Sequence, residues 1–268
     1  MSAPPVAQIP QFIMSEDDRH IIDEIVEPAH PQIKYGKEFN EGFRFVCLGE
    51  TGSGKTSLMR VVVYSTLAKH YASFALVHDT KGIFPEYRHS TLRANVRDFI
   101  ARGAFRNGDI PIVSFRGDPL RDIDVSAEEV AAFSLSLARK GLVPHITVIE
   151  ELAEASSAGR KHLKAPSVLK LLEQGRKMGV SLVGTTQSPR KTPLDVLGQA
   201  STIAFFRLTG ADANYLGERL DLNPALIAAI RGSHSEGLPN HQFVIYTKGK
   251  PWDGLIHTLD KRTAMMFE

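Results

Sequence analysis

Short apolar runs alternate with longer stretches of helical spacing along most of this sequence. Runs rich in β-branched and aromatic residues, each predicted to form a strand, occupy 43–48, 74–78, 111–115, 145–149, 180–185, 201–208 and 242–247. The stretches predicted to be helices are 55–70, 90–104, 127–140, 166–178, 212–220 and 224–230. Strands regularly separated by helices predict an α/β fold in which helices flank a mostly parallel central sheet.

Two of the predicted helices have recognisable start signals. Ser126 and Glu129 form a capping box, which predicts that a helix begins at residue 127. Pro166 stands at an early position of the helix predicted over 166–178, where a missing N–H removes no helical hydrogen bond. The apolar positions of that helix recur on one face: Val168, Leu171, Leu172, Gly175 and Met178.

The first 40 residues differ in composition from the rest of the chain. Residues 1–28 contain six acidic residues and one basic residue, so the remaining 240 residues carry 31 basic and 24 acidic ones. Ser15 is placed to cap a short helix over 16–27. The segment is too apolar for a free tail, so we divide the chain into an N-terminal arm, 1–40, for assembly or docking, and one domain over 41–268. The basic surplus of that domain suits a polyanionic partner.

The overall composition is that of an ordinary globular protein. A chain of 268 residues with 43% hydrophobic and 23% charged residues excludes a fibrous or wholly disordered protein. We find no signal-peptide pattern and no apolar run of about 18 residues that would span a membrane. The single cysteine, Cys47, indicates a reducing compartment. Cys47, Trp252 and the ten histidines show no metal-ligand spacing, so we interpret them as structural.

A phosphate-binding loop lies between the first predicted strand and the first predicted helix. Its glycines allow the backbone N–H groups to form a cradle, and the helix N-terminus adds its dipole. Lys55 is expected to reach the β- and γ-phosphates, and the Thr56 hydroxyl to bind Mg²⁺. ATP and Mg²⁺ are therefore the predicted cofactors. The residues predicted to bind the nucleotide are Gly49, Glu50, Thr51, Gly52, Ser53, Gly54, Lys55, Thr56 and Ser57.

An acidic pair ends the strand predicted over 145–149. Because successive side chains of a strand point to opposite sides, Glu150 and Glu151 are expected to address different partners. We assign Glu150 to the Mg²⁺ shell, through a water molecule because of its extra methylene, and Glu151 to activation of the attacking water.

Four motifs in this sequence resemble those of the HerA–FtsK superfamily of DNA-pumping ATPases. They are GRKMGV at 175–180, TQSP at 186–189, DTKG at 79–82 and FFRL at 205–208, and they follow the order of that superfamily. The short chain is most similar to the genome-packaging ATPases of membrane-containing icosahedral viruses.

The resemblance implies a RecA-like P-loop NTPase core and a homo-oligomeric ring, expected to be a hexamer, with nucleotide sites at subunit boundaries. It also implies that Gln187 senses the γ-phosphate and that Arg176 acts as a finger on the nucleotide of the adjacent subunit. The helical spacing places Arg176 at the edge of the apolar stripe of helix 166–178, which suits an interface. Arg207 is the competing candidate for the finger.

The function implied by the resemblance is ATP-driven DNA translocation in viral genome packaging. DNA is then a partner, together with capsid or membrane-vertex proteins, and the expected location is the virion or the host cytoplasm. Three alternatives stay open: a cellular HerA-type helicase of repair or conjugation, a filament-assembly ATPase of the zonula-occludens-toxin type, and a nucleotide-binding scaffold without motor activity. Contact with DNA phosphates is expected at two basic patches. The first is Arg160, Lys161, His162 and Lys164 within loop 153–165, and the second is Arg190 and Lys191.

Overall fold

The structure is a computed structural model that describes residues 42–68, 71–80, 82, 112–115, 123–155, 165–232 and 238–259. Several sequence-based predictions lie outside these residues. They are the arm over 1–40 with its helix, the helix near 90–104, Lys81 of the DTKG motif, and the basic residues Arg160, Lys161, His162 and Lys164.

Eight strands of the described residues form one sheet in the order β3-β2-β4-β5-β1-β6-β7-β8. Six neighbouring strands, β3 to β6 in that order, run parallel, whereas β7 and β8 pair antiparallel at one end. The strands are β1 (Arg44–Leu48), β2 (Ala75–His78), β3 (Ile112–Phe115), β4 (His145–Ile149), β5 (Val180–Thr186), β6 (Thr202–Phe205), β7 (Gln242–Thr247) and β8 (His257–Thr258). The mostly parallel sheet predicted from the sequence is confirmed.

Helices cover both faces of this sheet. In the described residues they are α1 (Lys55–Ala68), α2 (Ile123–Arg139), α3 (Leu152–Ala155), α4 (Pro166–Gln174), α5 (Leu194–Gln199), α6 (Gly210–Leu220) and α7 (Pro224–Ile230). All residues of strands β1 to β6 are buried, as expected for parallel strands that are covered on both sides.

The two faces of the sheet build two separate apolar clusters. Alternate residues of β1 enter different clusters, so that Val46 packs with α2 and α4 while Phe45 packs with α1. In the part of the chain that the structure describes, no helix has the length and apolar character needed to cross a membrane.

Two predicted helix boundaries are wrong. Helix α2 begins at Ile123, four residues before the predicted start. Ser126 is therefore inside the helix, where its hydroxyl donates to Ile123 O over 3.0 Å and is hydrogen-bonded to His78 Nε2 over 2.7 Å instead of capping an N-terminus. Helix α4 ends at Gln174, and a short 3₁₀ turn, Arg176–Met178, replaces its predicted last turn. The short elements α3, α5 and β8 were not predicted.

Candidate active site

The candidate site lies at the carboxyl edge of the sheet, where five neighbouring parallel strands end at the same level. The registers pair Leu48 of β1 with Thr186 of β5 and Phe205 of β6, and Ile149 of β4 with Gly184 of β5. Strand β2 joins this edge through the pair of His78 and Ile149. The segments that follow these strands, far apart in sequence, are therefore neighbours in space.

The P-loop connects β1 to α1 through a left-handed turn. Gly52 and Gly54 have φ values of 75° and 108°, which glycine adopts without strain. Lys55 begins α1, is 6% exposed, and its Nζ donates to the carbonyl of Glu50 over 2.6 Å. The strand–loop–helix context predicted for this motif is confirmed, and the lysine side chain lies along the loop itself.

Glu150 is anchored to the neighbouring strand β2. Its carboxylate is 1% exposed, and Oε2 accepts hydrogen bonds from Thr80 N–H over 2.8 Å and from Thr80 Oγ1–H over 2.7 Å. Thr80 is the second residue of the DTKG motif, and it was not among the residues predicted for the site. The observed register of β2 and β4 is what brings it beside Glu150.

Glu151 contacts β5, the neighbour of β4 on the side away from β2. Its φ of 53° lies in the left-handed region, which is uncommon for a residue other than glycine. The chain then turns over β5, because Gly184 has no side chain and leaves room for Leu152, whose Cδ1 would lie 2.2 Å from a Cβ at that position. The Glu151 N–H donates to Thr185 Oγ1 over 3.4 Å. The two carboxylates therefore face different strands.

Gln187 links Glu151 to the P-loop. Its Oε1 accepts a hydrogen bond from Thr51 Oγ1–H over 2.6 Å, and its Nε2 donates to Glu151 Oε1. A carboxylate only accepts hydrogen bonds, so this contact fixes which end of the Gln187 amide faces Glu151. The structure thus joins three of the residues predicted for this site into one path, Thr51–Gln187–Glu151.

The oxygen groups at this edge fit Mg²⁺ by their chemistry. A carboxylate, Glu150, and a hydroxyl, Thr56 in the first turn of α1, are hard donors of the kind that this ion prefers. No cluster of three or more His, Cys, Asp or Glu side chains occurs among the residues that the structure describes. One carboxylate and one hydroxyl are the number of protein ligands found in Mg²⁺ sites that take their other ligands from water and substrate phosphates.

Arg176 lies at the opposite edge of the sheet from the P-loop. It is exposed in the 3₁₀ turn that precedes β5, and its carbonyl accepts from Gly42 N–H, at the amino end of β1, over 2.9 Å. Strand β5 has seven residues, so the turn and Gln187 are separated by roughly 20 Å. The prediction that Arg176 lies at the edge of the apolar stripe of a helix over 166–178 is wrong, since the helix ends at Gln174.

Arg207, the competing finger candidate, is buried beside the P-loop of its own chain. It is 7% exposed, and its Nε donates to Glu50 Oε2 over 3.2 Å. The Glu50 N–H in turn donates to Arg207 O over 3.0 Å. A side chain held in this way is not directed at a neighbouring subunit.

The basic patch next to Gln187, formed by Arg190 and Lys191, is partly neutralised by an ion pair. Arg190 Nε donates to Asp212 Oδ1 over 2.7 Å, in an ion pair whose arginine side chain is 58% exposed. Arg190 and Lys191 both lie in a second 3₁₀ turn, Pro189–Lys191, in which Lys191 is exposed. Of this patch, the structure thus leaves Lys191 as the cation outside that ion pair.

Two histidines are buried as neutral groups close to the sheet. Burial lowers the pKa of His78 and of His145 to about 4. His145 Nε2 is hydrogen-bonded to Ser134 Oγ over 2.8 Å, and Ser134 Oγ to Thr147 Oγ1 over 2.6 Å, which ties α2 to β4. Burial also raises the pKa of the Cys47 thiol. These contacts agree with the structural interpretation of the three residues.

No protein-family model and no curated protein matches this sequence. Several solved ATPase structures do match its fold. The genome packaging NTPase B204 of Sulfolobus turreted icosahedral virus 2, in complex with sulfate, is 18% identical with a TM-score of 0.60, over 83% of this chain and 98% of that chain. B204, the DNA-packaging ATPase of Sulfolobus turreted icosahedral virus, is 18% identical with a TM-score of 0.57, over 83% and 98%. The chain shares the fold of these packaging ATPases.

A secretion ATPase has a similar fold. The cytoplasmic domain of the type VII secretion ATPase EccC of Thermomonospora curvata is 12% identical with a TM-score of 0.50, over 85% of this chain and 27% of that chain. The α/β P-loop fold predicted from the sequence is therefore confirmed. The resemblance to viral packaging ATPases is confirmed at the level of the fold.

Proposed function

We propose that this chain is a Mg²⁺-dependent ATPase that drives DNA translocation, as the motor of viral genome packaging. The observation that carries the proposal is the hydrogen-bonded path Thr51–Gln187–Glu151. This path sets a candidate general base and a polar sensor next to the loop expected to hold the γ-phosphate. Genome packaging in particular is supported by the fold shared with B204 and by the motifs over 175–189.

The residues of the site divide the chemistry among them. The backbone N–H groups of Thr51, Gly52 and Gly54 and the Lys55 ammonium bind phosphate oxygens, whereas those of Gly49, Glu50 and Ser53 donate to carbonyls of the protein. Ser57 extends this contact along the first turn of α1. Thr56 directly and Glu150 through a water molecule would hold Mg²⁺, which would supply positive charge beside the β- and γ-phosphates. Thr80 keeps the Glu150 carboxylate in place through its two hydrogen bonds. Glu151 accepts the proton of the attacking water. Gln187 orients the Glu151 carboxylate and this water molecule.

The subunits are proposed to form a ring, with Arg176 of one subunit at the nucleotide of the next. The exposure of Arg176 and its distance of roughly 20 Å from the Gln187 end of β5 support action in trans. DNA is proposed to contact Lys191 and the basic residues of 160–164 in the channel of the ring. Capsid or membrane-vertex proteins are the proposed partners, in the virion or the host cytoplasm.

Steady-state ATP hydrolysis with and without double-stranded DNA tests this function. We expect Mg²⁺-dependent turnover that DNA stimulates, together with displacement of a bound third strand as the protein moves along a duplex. Lys55→Ala is expected to abolish turnover, whereas Lys191→Ala, an exposed lysine outside the P-loop, is expected to keep basal hydrolysis. Full activity of Lys55→Ala would refute the site. Turnover that DNA never stimulates, without strand displacement, would favour the non-motor scaffold.

The arm over 1–40 is proposed to serve assembly or docking outside the catalytic domain. Its acidic charge opposes the basic surplus of residues 41–268. Deletion of residues 1–30 is expected to keep ATP binding and to weaken ring formation or attachment to a capsid partner. A truncated chain that is unfolded or does not bind ATP would place the arm in the core of the domain.

A further inference from the structure

We propose that Arg207 is a positioning residue of the P-loop in its own chain, where it acts as the fixed counter-charge of Glu50. This inference rests on the proposed nucleotide-binding function. The two residues are joined twice, by Arg207 Nε donating to Glu50 Oε2 over 3.2 Å and by Glu50 N–H donating to Arg207 O over 3.0 Å. The second residue of the P-loop is thereby tied to the end of β6 through both its backbone and its side chain.

The other side of the guanidinium reaches the segment that leads into β7. Arg207 donates from Nη1 to Leu238 O over 3.4 Å and from Nη2 to Asn240 Oδ1 over 3.3 Å. The next residue, His241, has a left-handed φ of 67° and donates its N–H to Ser53 O over 2.8 Å. Segment 238–241 therefore contacts the P-loop directly at Ser53 and through Arg207 at Glu50. A planar guanidinium can serve such divergent partners at once, which a lysine ammonium does less well.

Glu50 needs a counter-charge because of the ligand that the P-loop is expected to bind. Glu50 introduces a negative charge into a loop that would hold polyphosphate, and a like charge nearby opposes binding of that ligand. Arg207 is 7% exposed, so solvent screens its charge little and the compensation of Glu50 is effective. Without Arg207, Glu50 would be left beside the phosphates with its charge uncompensated. Removal of both charges would relieve this repulsion.

A finger residue and a positioning residue differ in their effect on ADP. A finger that acts in trans addresses the γ-phosphate, so its loss leaves ADP affinity unchanged. A residue that shapes the P-loop changes the affinity for ADP as well, because the loop holds the β-phosphate. Calorimetric titration of the full chain with Mg²⁺–ADP therefore separates the two roles.

The experiment compares the wild type with Arg207→Gln, Glu50→Gln and the double variant. We expect Arg207→Gln to raise the Kd for ADP about tenfold, within the usual range of coupling between contacting residues. The double variant is expected to recover most of this loss, to within about threefold of the wild type. Arg207→Lys keeps the charge but loses the planar guanidinium with its divergent N–H donors, and it is expected to raise the Kd for ADP about threefold. It replaces Arg207→Gln in the comparison if that variant does not fold.

Arg44 offers a matched control. It is also 7% exposed, and its guanidinium donates to Gln199 O and Glu173 O near the amino end of β1, away from the P-loop. Arg44→Gln is expected to lower the melting temperature without changing the ADP affinity.

Three results would overturn the inference. The first is an ADP affinity in the Arg207 variants equal to that of the wild type. The second is a double variant that binds ADP no better than Arg207→Gln does. The third is a loss of ADP affinity in Arg44→Gln as large as that in Arg207→Gln. A wild-type chain that binds neither ADP nor ATP would contradict the proposed function itself.

Discussion

Gln187 donates a side-chain hydrogen bond to Glu151, 36 positions earlier in the chain, while its carbonyl oxygen accepts one from Thr51 of the P-loop. The amide therefore touches both the loop expected to hold the phosphates and the candidate general base. A ligand that moves Thr51 changes one of the two contacts of this amide and so affects how Glu151 is held.

Glu151→Gln is expected to bind ATP and to hydrolyse it at least about 100-fold more slowly, because the variant cannot accept the proton of the attacking water. Binding of a fluorescent ATP analogue and single-turnover hydrolysis measure the two effects separately. Glu154→Gln, an exposed residue one turn further along the chain, is the control and should turn over normally. If Glu150→Gln stalls with bound ATP while Glu151→Gln is active, the two carboxylates have the opposite roles.

Gly184→Ala is expected to lower both stability and turnover. The added Cβ would lie 2.2 Å from Leu152 Cδ1 and 2.8 Å from Leu152 Cγ, so the buried Leu152 side chain must leave its place over β5. Overpacking of this kind costs about 1–3 kcal/mol, which chemical denaturation measures. Gly198→Ala, where a Cβ meets no atom within 4 Å, is the matched control and is expected to be neutral or slightly stabilising. Equal behaviour of the two variants would show that Gly184 does not set the path of the chain.

Arg176→Ala is expected to bind ATP and to hydrolyse it poorly, with a loss of about 1000-fold if it serves as a finger. Mixing it with inactive Lys55→Ala should restore part of the activity, since some boundaries then pair an intact P-loop with an intact Arg176. Subunit exchange is verified separately with labelled chains. Absence of recovery despite exchange would show that Arg176 does not act in trans.

The free energy of unfolding is expected to fall as the pH drops from 7 to 5. The folded chain keeps His78 and His145 neutral, with pKa values lowered from 6.5 to about 4, so the unfolded chain binds more protons in this range. Each histidine then contributes a loss of about 2 kcal/mol between these pH values.

Urea denaturation of His145→Gln at both pH values tests this pH dependence. The variant is expected to be less stable than the wild type at pH 7, because the hydrogen bond to Ser134 is altered, and to lose less stability on acidification. A pH dependence identical to that of the wild type would contradict the assignment to His145.

The sequence predicted the sheet and the P-loop because both depend on local patterns. Strand β4 ends in four β-branched residues, which two glutamates follow. The glycines of the P-loop lie between a strand and a helix. Thr80 and Arg207 could not be assigned in the same way. Their partners, Glu150 and Glu50, are 70 and 157 positions away, and the strand order alone decides that these residues meet.

Helix ends were predicted less well, because side-chain signals compete with tertiary contacts. Ser126 has the spacing of a cap, but its hydroxyl is hydrogen-bonded to His78 and lies inside a helix that starts earlier. Arg176 follows a helix that ends at Gln174, because the chain enters β5 through a 3₁₀ turn and a left-handed Gly179 with a φ of 76°.

The position of β1 in the sheet has a consequence for biosynthesis. This strand is the first of the described sheet to leave the ribosome, yet its two neighbours, β5 and β6, follow more than 130 residues later, as the pair of Arg44 and Leu182 shows. Until then an apolar strand with the P-loop attached has neither of its partners, and pairing over such a separation is slow. Nascent chains that end before β6 are therefore expected to need a chaperone and to bind no nucleotide.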